Sequence, residues 1–324
     1  MNFQNLEYFI AVAREGNITR AAEQLNISQQ ALSNQIARIE QEVGARLFDR
    51  KHGFELTQAG RYFFDAANRV SDISRQTEAA ISDIVKDKRG ELKIGVSFTR
   101  GQALLPLVLP DFAAAHPHIS LTIVEDLSVD LHEALDKGMV DLVIDYRPFR
   151  YDSIEFIDLM DEHAFLVVPR NILEKVFGPD IETGIRKYNK KPDLTVFADC
   201  PFVLLKHGEP VRTLLDNEFR LCGISPQIAL ETENIQTAFA LASQGMGISV
   251  IPEFYSTSPY VIPGNTETNV RNHVELLRLS ANTARTSFHI AVAYNRERYQ
   301  SRAAKDFISI CEKKFRQINK KYSS

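Results

Sequence analysis

Gln29, Gln30, Ser33 and Asn34 are short polar side chains at spacings that gather them on one side of a helix. Each can both donate and accept hydrogen bonds. The chemistry this suits is recognition rather than bond-making, because amide and hydroxyl groups match the donor and acceptor patterns of base edges in a DNA major groove. The intervening Leu32, Ile36 and Ile39 recur at steps of four and three, the stripe by which such a helix buries its other side. Ser28 stands where an N-cap hydroxyl would take an orphan amide. Upstream, Ala21, Ala22 and Leu25 give a first helix a small apolar face, with Thr19 and Arg20 at its start joining the DNA-facing set. Asn26 breaks that helix. Two short helices around a tight turn are the shape a major groove admits. An ordinary surface hairpin has the same local pattern.

The flanks favour the first alternative. Leu6, Phe9, Ile10 and Ala13 form one apolar face of a buttressing helix. Downstream, Leu47 and Phe48 lead into a short basic turn with Gly53 at its tip, where Arg50, Lys51 and His52 can meet phosphate or the minor groove. From Leu6 to Gly60 the chain resembles the LysR-type transcriptional regulators in the order and spacing of buttress, helix-turn-helix, wing and a Thr-Gln-Ala-Gly helix start. Gln30 stands where that family usually has Pro, Asn34 where Arg or Thr is common, and Gly53 where the wing is often basic. These departures bear on operator sequence and phosphate affinity, not on fold. The resemblance implies double-stranded promoter DNA, a small-molecule effector and RNA polymerase as partners.

At 324 residues the chain exceeds one small domain, and 44% hydrophobic with 25% charged residues is ordinary for a soluble protein. Its net charge of −4 gives no general attraction to nucleic acid, so DNA affinity must come from a local cluster, Arg46, Arg50, Lys51 and His52. Met1 leads into a polar helix-forming segment instead of a signal peptide, and no stretch is apolar enough to span a bilayer. A cytoplasmic protein is expected. Cys200, Cys222 and Cys311 share no metal-like spacing and read as reduced thiols, with a redox switch as the alternative.

Thr57 can cap a helix running to about Lys88, on which Phe63, Ala66, Val70, Ile73, Thr77, Ala80 and Ile84 form a coiled-coil seam. Pairing along it predicts a homodimer or homotetramer and an operator of two half-sites. Beyond it strands alternate with helices: Glu91 to Val96, Leu104 to Ala115, Leu121 to Glu125, Leu131 to Lys137 and Asp141 to Asp145. This argues for a parallel sheet with crossovers. A second round starts near Phe165 and includes the strand Pro201 to Leu205, the helix Ile235 to Ser243 and the turn and strand Gly245 to Glu253. VELLRL and SFHIAVAY then return the chain to the first lobe, and a basic helix follows Arg296. Pro179 to Asp193 reads as a solvated loop. The expected class is α+β multidomain, with a winged helix-turn-helix (1–58), a linker helix (59–89) and a two-lobed, periplasmic-binding-protein-like effector domain (90–324). Lobe I is 90–164 with 268–324, and lobe II is 165–267.

In such a unit ligands lie at the carboxyl ends of strands, between the lobes. Ser97, Phe98 and Thr99 follow the first strand and suit an anion at a helix start, although a plain N-cap has the same residues. Asp145 and Tyr146 end the third strand and suit a cationic or donor group, unless Asp145 merely pairs with Arg147 at the surface. By resemblance, Lys206 and His207 face them with Thr232 and Asn234; carboxylate-seeking groups on both walls with an acid nearby suit a carboxylate effector, amino-acid-like or an aromatic acid. No phosphate loop, dinucleotide glycine pattern, Gly-x-Ser-x-Gly or His-Glu-x-x-His run occurs. No cofactor, resident metal or enzymatic activity is therefore expected; His116 and His118 beside Pro117 read as capping rather than as metal ligands. The alternative, a solute-binding protein or metabolic enzyme built on the two lobes, leaves the first 88 residues without a role.

Overall fold

Leu32, Ile36 and Ile39 are fully buried, as their spacing requires, and they close a head formed by α1 (Phe3–Glu15), α2 (Ile18–Gln24) and α3 (Gln29–Val43). The computed structural model describes residues 3–50, 54–85, 90–257, 274–280 and 287–322. Lys51, His52 and Gly53 at the expected wing tip lie outside the described residues, as do residues 86–89 at the expected end of the linker helix. Asn17 caps α2, its Oδ1 accepting from the amides of Thr19 and Arg20, and Ser28 Oγ accepts from Ala31 N at 3.2 Å to cap α3. Asn26 turns the chain between them with φ of 54°. Strands β1 (Phe48–Asp49) and β2 (Glu55–Leu56) pair antiparallel as the base of the wing.

The next helix, α4 (Gln58–Ile84), starts at a forced close approach. Thr57 Oγ1 caps Gly60 N at 2.9 Å, and a Cβ on Gly60 would lie 2.0 Å from the Leu47 carbonyl oxygen, so only glycine fits. Ala67 plugs into the head core, while Phe63 meets Phe9 edge-on at 4.7 Å. Further along, α4 turns acidic groups toward the second domain. Asp65 pairs with Lys137 at 3.0 Å, Asp72 pairs with Arg298 and with its own neighbour Arg75, and Asp83 Oδ2 accepts from Tyr299 OH at 2.8 Å. Ala66, Val70, Ile73, Thr77, Ile81 and Ile84 remain exposed on other faces.

The second domain follows strand alternation. In lobe I, β3 (Gly90–Val96) runs parallel to β4 (Ile119–Glu125) and β5 (Leu142–Tyr146), with α5 (Phe98–Ala115) and α6 (Ser128–Asp136) as crossovers. The sheet orders β10–β6–β11–β5–β3–β4, with β9 also on β6. Strand β6 (Ile154–Pro169) passes between the lobes: its first part pairs with β11 (Ser287–Asn295), its second with β9 (Ser249–Pro252) and β10 (Val274–Arg278). Lobe II adds α7 (Arg170–Phe177), α8 (Ile181–Lys190), the parallel pair β7 (Pro201–Leu205) and β8 (Gln227–Thr232), α9 (Pro210–Cys222), α10 (Ile235–Ser243) and α11 (Glu253–Thr257). Helix α12 (Arg302–Tyr322) packs back on α5.

Three expectations change. Helix α5 begins at Phe98 rather than Leu104; Pro106 and Pro110 lie inside it, and burial of Ala103, Leu104, Leu105, Val108 and Phe112 outweighs their lost amides. VELLRL does not return to lobe I: β10 registers on residues 165–169 of β6, and β11 makes the return. Pro179 to Asp193 is not a loop, because Asp180 caps α8 and Ile181 and Tyr188, two turns apart, bury on one side of it.

Candidate functional site

On α3, Gln29, Gln30 and Asn34 are exposed and Ser33 is half-buried, all away from the Leu32–Ile36–Ile39 stripe. Thr19 and Arg20 are exposed at the start of α2, so both helices present polar groups to solvent. Ser28 is exposed too, but its oxygen is engaged in the cap. The wing is tied to the reading helix through Glu40, whose Oε1 accepts from Leu47 N at 2.8 Å and Phe48 N at 3.1 Å. Its other oxygen meets Arg50 Nη2 at 3.2 Å, leaving the guanidinium about half exposed. Arg50 is thus held beside α3, free on one side to meet phosphate.

The second concentration of polar groups lies between the lobes. Ser97 follows β3 at the N-cap of α5, half-buried and without a side-chain cap bond; Phe98 is 63% exposed and Thr99 half-buried. Opposite, Lys206 Nζ pairs with Glu233 Oε1 at 2.7 Å, and His207 lies exposed with Nδ1 3.2 Å from Asp216. Thr232 Oγ1 accepts from Asn234 N, and Asn234 caps α10 by accepting from Gln236 N at 2.8 Å and Thr237 N at 3.2 Å. Gln236 Nε2 donates to Gln102 Oε1 at 2.7 Å, joining α10 of lobe II directly to α5 of lobe I.

Asp145 and Tyr146 do not sit on the cleft surface as expected. Asp145 is wholly buried and Tyr146 nearly so. Arg100 Nη2 lies 2.5 Å from Asp145 Oδ1, Ser128 Oγ donates to the same oxygen at 3.1 Å, and His132 Nε2 lies 3.1 Å from Oδ2. Burial alone would raise the Asp145 carboxyl, but Arg100 and these hydrogen bonds hold it below the usual carboxylate range. The alternative partner, Arg147, instead pairs with Asp158 at 2.9 Å. Tyr146 stacks on Phe288, lies under the Arg100 guanidinium at 3.9 Å, and donates its hydroxyl to Glu162 Oε2 at 2.8 Å. The other oxygen of Glu162 accepts from Phe254 N at 2.8 Å, and burial pushes its carboxyl up to about 7. These side chains are therefore the floor that fixes Arg100. Sequence reasoning missed Arg100, although a cation in the first turn after a strand end was the available signal.

Among the described residues no group of His, Cys, Asp and Glu could hold a metal, and no helix is long and apolar enough to cross a membrane. His116 lies 3.3 Å from Asp306 and stacks on Phe112, while His118 is exposed. No disulfide joins the three cysteines, and Cys200 and Cys311 are buried.

Residues 3–61 match the family model described as the bacterial regulatory helix-turn-helix protein, lysR family, and residues 86–316 match the LysR substrate binding domain. Among curated relatives, the uncharacterized HTH-type transcriptional regulator YcgK of Bacillus subtilis (strain 168) is 32% identical, covering 78% of this chain and 80% of that protein. The HTH-type transcriptional regulator ClcR of Pseudomonas putida is 31% identical over 78% of this chain and 83% of its own. Among solved structures, full-length OxyR C199D from Pseudomonas aeruginosa shares the fold with a TM-score of 0.68 and 23% identity, covering 98% of this chain and 95% of that one. Full-length CbnR complexed with target DNA does so with a TM-score of 0.64 and 24% identity, over 97% and 100%.

Proposed function

The chain belongs to the LysR family of DNA-binding transcriptional regulators with an effector-binding domain, and from that membership we propose how its residues divide the work. Residues 1–58 bind DNA, 59–89 link, and 90–324 bind the effector, with β10 kept in lobe II. Helix α3 enters the major groove, where Gln29, Gln30, Ser33 and Asn34 read base edges. Thr19, Arg20 and Arg50 hold the backbone, and Lys51 and His52, which follow Arg50 in sequence, add to that contact. The observation that carries this is the division of α3 into a sealed apolar stripe and an open polar face.

The exposed row Val70, Ile73, Thr77 and Ile84 on α4 pairs with a second copy, so that two α3 helices reach two half-sites. A tetramer would join two such pairs. A small effector held between the lobes by Ser97, Thr99, Lys206, His207 and Thr232 favours one lobe arrangement. Helix α4, clamped to lobe I by Asp72 and Arg298, carries the change to half-site spacing. The protein works in the cytoplasm, with RNA polymerase as a further partner and without a reaction of its own.

Gel retardation on the DNA upstream of the gene and its divergent neighbour tests the reading. A retarded complex that competes with unrelated DNA only at large excess is expected. Equal competition by any DNA would leave the sequence-reading role without support.

A further inference from the structure

Helix α6 (Ser128–Asp136) is held by a different part of the molecule at each end. Its start is tied to the buried cluster beside α5. Ser128 Oγ donates to Asp145 Oδ1 at 3.1 Å and accepts from Arg100 Nη2 at 3.2 Å, and one turn on His132 Nε2 lies 3.1 Å from Asp145 Oδ2. Arg100 stands in the first turn of α5, directly after Thr99 and three residues from Ser97, two of the residues proposed above to hold the effector.

The other end of α6 is gripped from outside the helix. A helix leaves its last carbonyls open, and two arginines supply donors there. Arg298 Nη2 donates to Asp136 O at 2.8 Å, and Arg75 Nη2, from the linker helix α4, donates to Gly138 O at 2.9 Å. Both guanidiniums also meet the buried Asp72 of α4, and Arg75 pairs further with Asp141, just before β5. Lys137 adds a third tie, to Asp65 of α4 at 3.0 Å. Gly138 has φ of 73°, and a Cβ there would strike the Arg298 guanidinium and the Asp72 carboxyl, so the grip closes only over glycine. Between its ends α6 spans about 13 Å and contains no Gly or Pro, and Leu131, Ala134 and Leu135 bury it among Val140, Val143, Ile154 and Ala293.

We propose that α6 is the strut that couples the first turn of α5 to the linker helix, with Arg75 and Arg298 as the positioning residues that fasten it to α4. The assignment rests on the cleft being the effector site and adds the element that hands its state to α4. A shift in the first turn of α5 moves Arg100, and Arg100 is bonded to the start of α6. A close-packed helix without a soft point transmits that shift as one piece. At the far end it falls on Arg75 and Arg298, and through them on Asp72 and α4. Apolar residues could join α4 to lobe I with equal stability; paired charges and carbonyl bonds fix a single register, which a coupling element requires.

The test needs no effector. Hydrogen exchange of the full chain, read by mass spectrometry, is followed at one end of α6 while the other is altered. Ser128→Ala should speed exchange in α4 around residues 72–79 by about fivefold or more, and Arg75→Gln with Arg298→Gln should do the same to the first turn of α5. The three changes together should not add: with the grip gone, Ser128→Ala should have no further effect on α4. His132→Phe, which removes the other tie at the start of α6, should reproduce the Ser128→Ala result. Helix α10 of lobe II is the control, because loosening there would mean a general loss of stability. The proposal is overturned if the far end is unchanged, if the effects add, or if α10 loosens as much as the far end. Because no ligand takes part, that failure would leave the cleft standing as the effector site. The cleft reading fails separately, if Ser97→Ala with Thr99→Ala leaves the effector response of a reporter strain intact.

Discussion

Arg100 and Asp145 face each other at 2.5 Å with 6% and 0% of their side chains exposed, a sealed ion pair between β5 and the first turn of α5. Such a pair adds little net stability over apolar residues of the same size, because two desolvated charges offset their attraction. Its removal by halves is another matter. Asp145→Ala leaves Arg100 charged and enclosed, and should destabilise the effector domain by about 3–5 kcal/mol in chemical denaturation. The joint change Arg100→Met with Asp145→Leu should recover most of that loss. A single variant as stable as the parent would mean that water reaches the floor.

Glu162 gives stability a pH dependence. Its carboxyl takes up a proton at about 7 in the folded chain against 4.5 for the free group, with Tyr146, Arg100 and Glu253 around it. Between those values the folded chain keeps a proton that the unfolded chain has lost, so protonation favours folding. The contribution is complete below pH 4.5, declines as pH rises and is gone above about 7. Glu162→Gln should flatten this slope and be more stable at high pH, by at most roughly 3 kcal/mol. Parallel stability curves for parent and variant across this range would contradict the assignment.

Gln29→Ala and Ser33→Ala should each lower the ratio of operator to random-DNA affinity, by about 1–3 kcal/mol for a lost bidentate base contact and less for the half-buried Ser33. Competition titration measures the ratio. A fall in affinity for all DNA alike would move these residues from base reading to backbone contact.

Ile73 is 63% exposed and Ile84 79%, on a helix whose Asp65, Asp72 and Asp83 are turned toward the protein's own second domain. Ile73→Glu should shift the full chain toward monomer in sedimentation equilibrium and weaken operator binding far more than Gln29→Ala does, since both half-sites are lost together. An unchanged sedimentation mass would place the dimer contact elsewhere.

The head was legible because its signals are local. Leu32, Ile36 and Ile39 fix the buried side of α3 by spacing alone, and what remains is its outer face. The cleft was legible only in outline. Strand ends are visible in sequence, but whether Asp145 faces solvent or a guanidinium depends on Arg100, Ser128 and His132, which lie on two other elements. Tyr146 likewise looked like a contact residue and is a spacer between Arg100 and Glu162. Helix α8 was missed because its polar composition hides two burial points, Ile181 and Tyr188, a full two turns apart. The β10 strand was misplaced because an antiparallel neighbour carries no mark of which end of β6 it will join.

The central claim is that α3 reads DNA from a paired molecule, and hydroxyl-radical footprinting of the gene's own upstream region tests it most directly. At low ionic strength the account predicts two protected tracts whose centres lie about one helical turn, or a multiple of it, apart, and their joint loss with Ile73→Glu. A single tract unaffected by that substitution, or no protection at all, would contradict it.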